Sequence, residues 1–221
     1  MKIGVIIAMD IEYRQMHDAI GGDTGRLGNN EIVLWQCGIG KVNAAVGTMR
    51  LIQEHHPDAI LSTGLAGGID PQMQVGDILA ATQCVYHDVD CGGISYGEYH
   101  LGQVQGLPAR YQADPHLLNK AISLQTSDIA LHPGLIVTGD WFVDSKEKMR
   151  EIVGHFPEAK AVDMESCAIA QTCYINKVPF ISFRVISDIP LRDTDASQYH
   201  NFWDTVADHS FQVTKTFVES L

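Results

Sequence analysis

The chain has 221 residues, 45% hydrophobic and 19% charged, an ordinary globular composition that excludes a disordered or fibrous protein. Fifteen Lys and Arg against 27 Asp and Glu leave a formal charge of −12, and with no basic run this argues against nucleic-acid binding. No apolar stretch approaches the roughly 18 residues of a membrane span, and at this length a single domain over residues 1–221 is expected.

Residues 2–8 form a continuous apolar run, β-branched at Ile3, Val5, Ile6 and Ile7, which predicts a strand buried on both faces. Asp10 and Glu12 end this run before a cleavable signal could form. Residues 31–37 are a second apolar run. In residues 42–55, Val42, Ala45, Val46, Met49 and Ile52 recur at helical spacing and give one apolar stripe. Residues 59–63 read as a short strand ending in a glycine turn, Gly64-Leu65-Ala66-Gly67-Gly68. Residues 76–90 read as a long strand, and residues 91–108, rich in glycine, as a loop. A strand over 135–138 follows. Asp144, with Glu147 three residues on, predicts the cap of a helix over 146–153. A brief strand over 159–163 runs into a helix over 164–175. The last strand is 178–187 and the last helix 198–219. This alternation predicts an α/β layered fold with a largely parallel or mixed sheet.

The five cysteines, at 37, 84, 91, 167 and 173, show no CxxC spacing, which suggests reduced thiols and a cytoplasmic protein. The ten histidines show neither HxxxH nor HExxH, so no metal is expected. In open α/β sheets ligands bind beyond the carboxyl ends of the strands. Those ends here carry Met9, Asp10 and Glu12; the glycine turn; Asp140, Trp141 and Phe142; Asp163, Met164 and Glu165; and Ser187 and Asp188. The glycines of Gly38-Ile39-Gly40-Lys41 are not a phosphate loop, because Trp35 and Val42 stand where such a loop needs Gly and Ser or Thr. Asn43 breaks the dinucleotide fingerprint as well. Close approach to a ligand, or tight packing, remains for Gly38 and Gly40.

Several of these segments are shared with a known family. Gly4-Val5-Ile6-Ile7-Ala8-Met9 with Glu12, Cys37-Gly38-Ile39-Gly40-Lys41-Val42 and Ser62-Thr63-Gly64-Leu65-Ala66-Gly67-Gly68 are followed by Tyr86-His87-Asp88-Val89-Asp90, Ala161-Val162-Asp163-Met164-Glu165 and Arg184-Val185-Ile186-Ser187-Asp188. In this order they resemble the 5′-methylthioadenosine/S-adenosylhomocysteine nucleosidases of the nucleoside phosphorylase superfamily. The resemblance implies a three-layer α/β/α fold around a central twisted mixed sheet, a homodimer, no cofactor, and hydrolysis of the bond between adenine and a 5′-thio-substituted ribose. Within it, Asp188 matches the general acid for adenine N7, Glu12 the residue that activates water, and Glu165 the residue that binds a ribose hydroxyl. Met164 would lie against the sugar, Phe142 would stack on adenine, and the Val143 backbone would bond it. Arg184 would orient the carboxylates. Met9, Ile39, Tyr96 and Tyr199 are candidates for the 5′-thio pocket.

The resemblance also leaves rivals and departures. A phosphorylase of the same fold would need cations for phosphate, yet Ile60-Leu61-Ser62-Thr63 holds no Arg and Glu12 occupies the other position; Arg14 is the one nearby cation. A non-catalytic nucleoside-binding protein would have no need of Glu12, Glu165 and Asp188 together. Leu65 stands where the family usually has Ser, and Asp163 where it usually has Glu. Both bear on substrate preference and rate more than on the class of reaction. The partners expected are a small nucleoside and water, with neither nucleic acid nor membrane.

Overall fold

The computed structural model describes residues 1–92, 99–125, 130–192, 197–205 and 207–221. In chain order they form β1 (Lys2–Ile7), α1 (Asp10–Ile20), β2 (Thr24–Leu27), β3 (Asn30–Gln36), α2 (Lys41–His55), β4 (Ala59–Gly68), β5 (Ile78–Tyr86) and β6 (Tyr111–Gln112). Then come α3 (Pro115–Ile122), β7 (Leu131–Thr138), α4 (Lys146–His155), β8 (Ala159–Asp163), α5 (Ser166–Asn176), β9 (Phe180–Asp188), α6 (Ser197–Thr205) and α7 (Ala207–Ser220).

The sheet is mixed, as expected. β3, β1 and β4 run parallel, with β2 antiparallel at the edge. Beyond β4 the sheet closes on itself. β4 pairs with β9, β9 with β5, β5 with β7, β7 with β8, and β8 returns to the end of β4. The ten-residue β4 serves both the open part and this ring, which is why it runs through Gly64 to Gly68 instead of stopping at Thr63. The predicted glycine turn is therefore strand, bent where its pairing with β9 slips between Ala66 and Gly67.

Helices cover both faces. Along β1, Ile3, Val5 and Ile7 enter a core shared with Met16 of α1, Leu117 of α3 and Phe217 of α7. Ile6 enters the opposite core, with Ala44 and Leu51 of α2 and Ile169 of α5. A strand buried on both faces reads as a nearly continuous apolar run, which is what marked it. Met149 and Ile152 of α4 close a third cluster over Val137 and Val162. No helix among the described residues is long and apolar enough to cross a membrane. The five cysteines are unpaired.

Three local expectations are corrected. The face of α2 that packs on the sheet is Ala44, Gly47, Thr48 and Leu51, whereas Val42 and Val46 of the predicted stripe are 74% and 55% exposed. Small residues let α2 lie close: a Cβ on Gly47 would stand 2.5 Å from that of Cys37. The cap of α4 is Ser145, whose Oγ accepts from the Lys148 N–H, while Asp144 pairs with the Lys148 ammonium. Finally, α5 begins at Ser166, so Met164 and Glu165 are left in the turn before it, and the last helix is two, α6 and α7. The sequence reading assigned no element to β2, β6 or α3 and gave α1 no bounds.

Candidate active site

The carboxyl ends of β1, β4, β7, β8 and β9 converge on one cleft that is open to solvent. Glu12 enters it from the first turn of α1. Its Oε2 reaches back to accept from the Met9 N–H at 3.3 Å, closing the helix start, and its Oε1 accepts from the Leu65 N–H at 2.8 Å. The side chain is buried, and burial pushes its carboxyl up to about 7 against the pull of Arg184 and the two backbone donors. Glu165 comes from the turn between β8 and α5. Its Oε1 accepts from the Gly40 N–H at 3.0 Å. Burial raises its carboxyl too, with Arg184 opposing and Asp163 adding to the rise.

Arg184, fully buried on β9, lies between these acids. Its Nη2 is 2.9 Å from Asp163 Oδ2, 2.8 Å from Ser62 Oγ and 3.9 Å from Glu165 Oε2. Nη1 donates to the Thr63 carbonyl at 3.3 Å and Nε to Ser166 Oγ at 3.2 Å. Burial alone would favour losing the proton, but Asp163, Glu165 and Glu12 outweigh it and hold the guanidinium charged. Asp163 is itself saturated by Thr138 Oγ1 at 2.6 Å, the Ser166 N–H and hydroxyl, and Arg184. Asp163 also lines the cleft, but as the counter-ion of Arg184 its oxygens are taken, which leaves Glu12, Glu165 and Asp188 as the acids available to a ligand. Asp188, at the end of β9, accepts from Ser187 Oγ at 2.6 Å.

The rest of the cleft is apolar. The Phe142 and Tyr199 rings meet edge to face at 5.3 Å, and the Tyr199 hydroxyl reaches Met9 Sδ at 3.4 Å, so Met9, Tyr199 and Phe142 form a continuous arc. Ile39, Leu65, Val143 and Met164 line the remaining wall. Burial pushes the nearby Cys37 thiol up to about 12, which leaves it protonated and unreactive at neutral pH. Among the described residues no group of three or more His, Cys, Asp or Glu could hold a metal ion.

The comparisons with known proteins bear on this cleft directly. Residues 2–219 match the family model described as the phosphorylase superfamily. The 5′-methylthioadenosine/S-adenosylhomocysteine nucleosidase of Exiguobacterium sp. is 39% identical, over 100% of this chain and 99% of its own. The chain belongs to this superfamily and, within it, to these nucleosidases. The crystal structure of the Neisseria meningitidis nucleosidase in complex with methylthio-immucillin-A has a TM-score of 0.90 at 37% identity, covering 100% of this chain and 99% of that one. The Colwellia psychrerythraea nucleosidase in complex with adenine also has a TM-score of 0.90, at 34% identity, covering 100% and 96%.

Of the site residues expected from sequence, this nucleosidase-family cleft is lined by Met9, Glu12, Ile39, Leu65, Phe142, Val143, Met164, Glu165, Arg184, Asp188 and Tyr199. Tyr96 lies outside the described residues. Sequence reasoning assigned no role to Ser187, which bonds Asp188, or to Ser62 and Ser166, which hold Arg184. Serines inside otherwise apolar runs were the available signal, since a buried hydroxyl needs a partner. Gly40 contributes its backbone N–H, which no side-chain reading could supply.

Proposed function

We propose that this chain hydrolyses the N-glycosidic bond of 5′-methylthioadenosine, S-adenosylhomocysteine or both, releasing adenine and the 5-thio-ribose. The observation that carries the reading is the state of Arg184. Among the described residues lining the cleft it is the only cation, and four of its five N–H donors are committed to Asp163, Ser62, Ser166 and the Thr63 carbonyl. That leaves a single Nη1 N–H, too little to grip a phosphate dianion beside two buried carboxylates. Arg14 does not supply the lack: it pairs with Asp10 at 2.8 Å with 74% of its side chain exposed. Two buried carboxylates beside a committed cation suit a neutral nucleophile, water.

In this reading Glu12 takes a proton from the water as its oxygen bonds C1′. The C1′–N9 bond breaks, and its electron pair leaves with adenine. Asp188 delivers a proton to adenine N7, which makes the base a neutral leaving group. Glu165 accepts from a ribose hydroxyl, and Phe142 and Val143 hold the base. The 5′-thio group lies in the apolar arc of Met9, Tyr199 and Ile39, where a thioether costs little to desolvate.

The active form is a homodimer in the cytoplasm. Ile39, Val42 and Val46 form an exposed apolar strip from the cleft mouth along α2, and a second copy of the chain would cover it. Unpaired cysteines suit a reducing compartment. Sedimentation at micromolar concentration should give a dimer, and an active monomer there would remove this part of the reading. The activity itself is tested by following adenine release from methylthioadenosine with and without phosphate. Equal rates and free 5-thio-ribose are expected, whereas a phosphorylated sugar product would overturn hydrolysis.

A further inference from the structure

The start of α2 is capped from outside. Its N-cap residue, Gly40, has φ +93 and no side chain to cap with, and a Cβ there would stand 3.1 Å from Asp140 Oδ1. Two carboxylates from other elements take over. Glu165 Oε1 accepts from the Gly40 N–H at 3.0 Å, and Asp140 Oδ1 from the Lys41 N–H at 2.8 Å. Negative charge at a helix N-terminus is favourable, so both contacts are reinforced by the helix itself.

Asp140 is fixed in turn. Its own N–H donates to Asp88 Oδ2 at 2.9 Å, and Asp88 receives the Lys41 ammonium on both oxygens, at 2.8 and 2.7 Å. The ammonium also stands 3.7 Å from Asp140 Oδ2 and 5.4 Å from the centre of the Tyr86 ring. The three residues thus form a closed ring in which each contacts the other two. The Lys41 and Asp88 side chains are 24% and 11% exposed, so water and salt screen this pair less than an exposed one. Burial would raise the Asp88 carboxyl, but Lys41 and the Asp140 N–H hold it below the usual carboxylate range.

We propose that Lys41, Asp88 and Asp140 are positioning residues that clamp the two walls of the cleft together. One wall carries Ile39, next to Gly40, whose N–H holds Glu165; the other is Trp141, Phe142 and Val143, which follow Asp140 directly. The clamp fixes their spacing before any ligand arrives, and its effect on turnover rests on the reading of the cleft as a nucleosidase site. None of the three residues lines the cleft.

The test compares Lys41→Met, Asp140→Ala and the conservative Asp140→Asn, which keeps an oxygen for the Lys41 N–H. With methylthioadenosine, Lys41→Met and Asp140→Ala should raise KM about 5- to 10-fold, the scale of one lost hydrogen bond, with kcat nearly unchanged. Asp140→Asn should restore most of the loss. A purely structural role would lower the folded fraction and kcat without moving KM. Amide hydrogen exchange on the ligand-free chain gives a readout independent of turnover: Lys41→Met should accelerate exchange in residues 40–43 and 140–143 together. Unchanged exchange in either segment, unchanged KM, or Asp140→Asn as damaging as Asp140→Ala would overturn the clamp. A wild-type chain that releases no adenine would strike the nucleosidase reading instead, and the exchange data would still decide the clamp.

Discussion

Glu12 Oε1 accepts the Leu65 backbone N–H at 2.8 Å, so the carboxylate proposed to activate water is held through the main chain of the residue that stands where the family resemblance implies Ser. Any residue but proline offers that N–H. The side chain of Leu65 meanwhile lines the cleft on one side and joins the β1–α7 core on the other, with only 8% of its surface exposed. The departure therefore leaves the placement of Glu12 intact and alters only what the ligand touches.

Leu65→Ser should consequently give a working enzyme. It removes apolar contact with the ligand and opens a small void in the core, at a cost of about 2–3 kcal/mol in stability. The new hydroxyl can add a hydrogen bond worth roughly 0.5–1.5 kcal/mol near the reacting water, a change in kcat/KM of about 2- to 13-fold. Kinetics on methylthioadenosine, S-adenosylhomocysteine and inosine would read it. Unchanged ratios among the three would mean that Leu65 is a packing residue alone.

The raised carboxyl of Glu12 has two consequences for pH. A general base works only when ionised, so kcat/KM should fall as pH drops below about 7. Stability runs the other way. A folded-state value near 7 against 4.5 in the unfolded chain means that the native state binds more protons between those limits, so stability declines as pH rises through that window. Glu165, raised by the same burial, adds to the decline. Glu12→Gln should abolish turnover and flatten the dependence of the melting temperature on pH between about 4.5 and 7. An equally steep dependence in the variant would show that Glu12 is not the group responsible.

The sequence disclosed the architecture where one physical rule dominated. Apolar residues marked β1, β3 and β9, because strands packed between helix layers are mostly apolar, and the buried Ser182 and Arg184 of β9 are accommodated only because Ser166 and Asp163 pair with them. The acids at strand ends were legible because open sheets bind ligands there. What stayed hidden depends on contacts between distant segments. The stripe of Val42, Ala45, Val46, Met49 and Ile52 followed helical periodicity, yet the face buried deepest is Ala44, Gly47, Thr48 and Leu51, and no local signal distinguishes the two faces. β4 continues through its glycines only because β8 and β9 are there to pair with it. Asp163 looked like one more acid of the site, and its role as partner of Arg184 emerges only when β8 and β9 are brought together.

Asp188→Asn should leave the fold intact and cost about 10²–10⁴-fold in turnover, the usual loss when a general acid is removed. Purine analogues with better leaving groups should lose less, and equal losses on both would reduce Asp188 to a binding residue. Ser187→Ala is the companion variant. It removes the 2.6 Å bond to Asp188 and should cost up to about tenfold, the scale of one hydrogen bond. A Ser187→Ala enzyme with wild-type kinetics would show that the acid needs no such support.

Gly64 offers the most demanding test of the site's geometry. Its φ is +135, a conformation that side-chain-bearing residues rarely adopt. A Cβ built there would stand 2.9 Å from both Glu12 oxygens and 2.9 Å from Arg184 Nη1. None of those atoms can yield cheaply, because Glu12 is tied to Met9 and Leu65, and Arg184 to Thr63, Ser62 and Asp163. Gly64→Ala should therefore cost about 1–3 kcal/mol in backbone strain alone. It should also push Glu12 off the cleft, and a displacement of about 1 Å is worth roughly 10²-fold in rate. The losses are separable: thermal unfolding reads the strain, and kcat on the folded fraction reads the displaced carboxylate. A Gly64→Ala chain with a lower melting temperature but wild-type kcat would mean that Glu12 and Arg184 do not need the placement described, and that the water is activated from elsewhere.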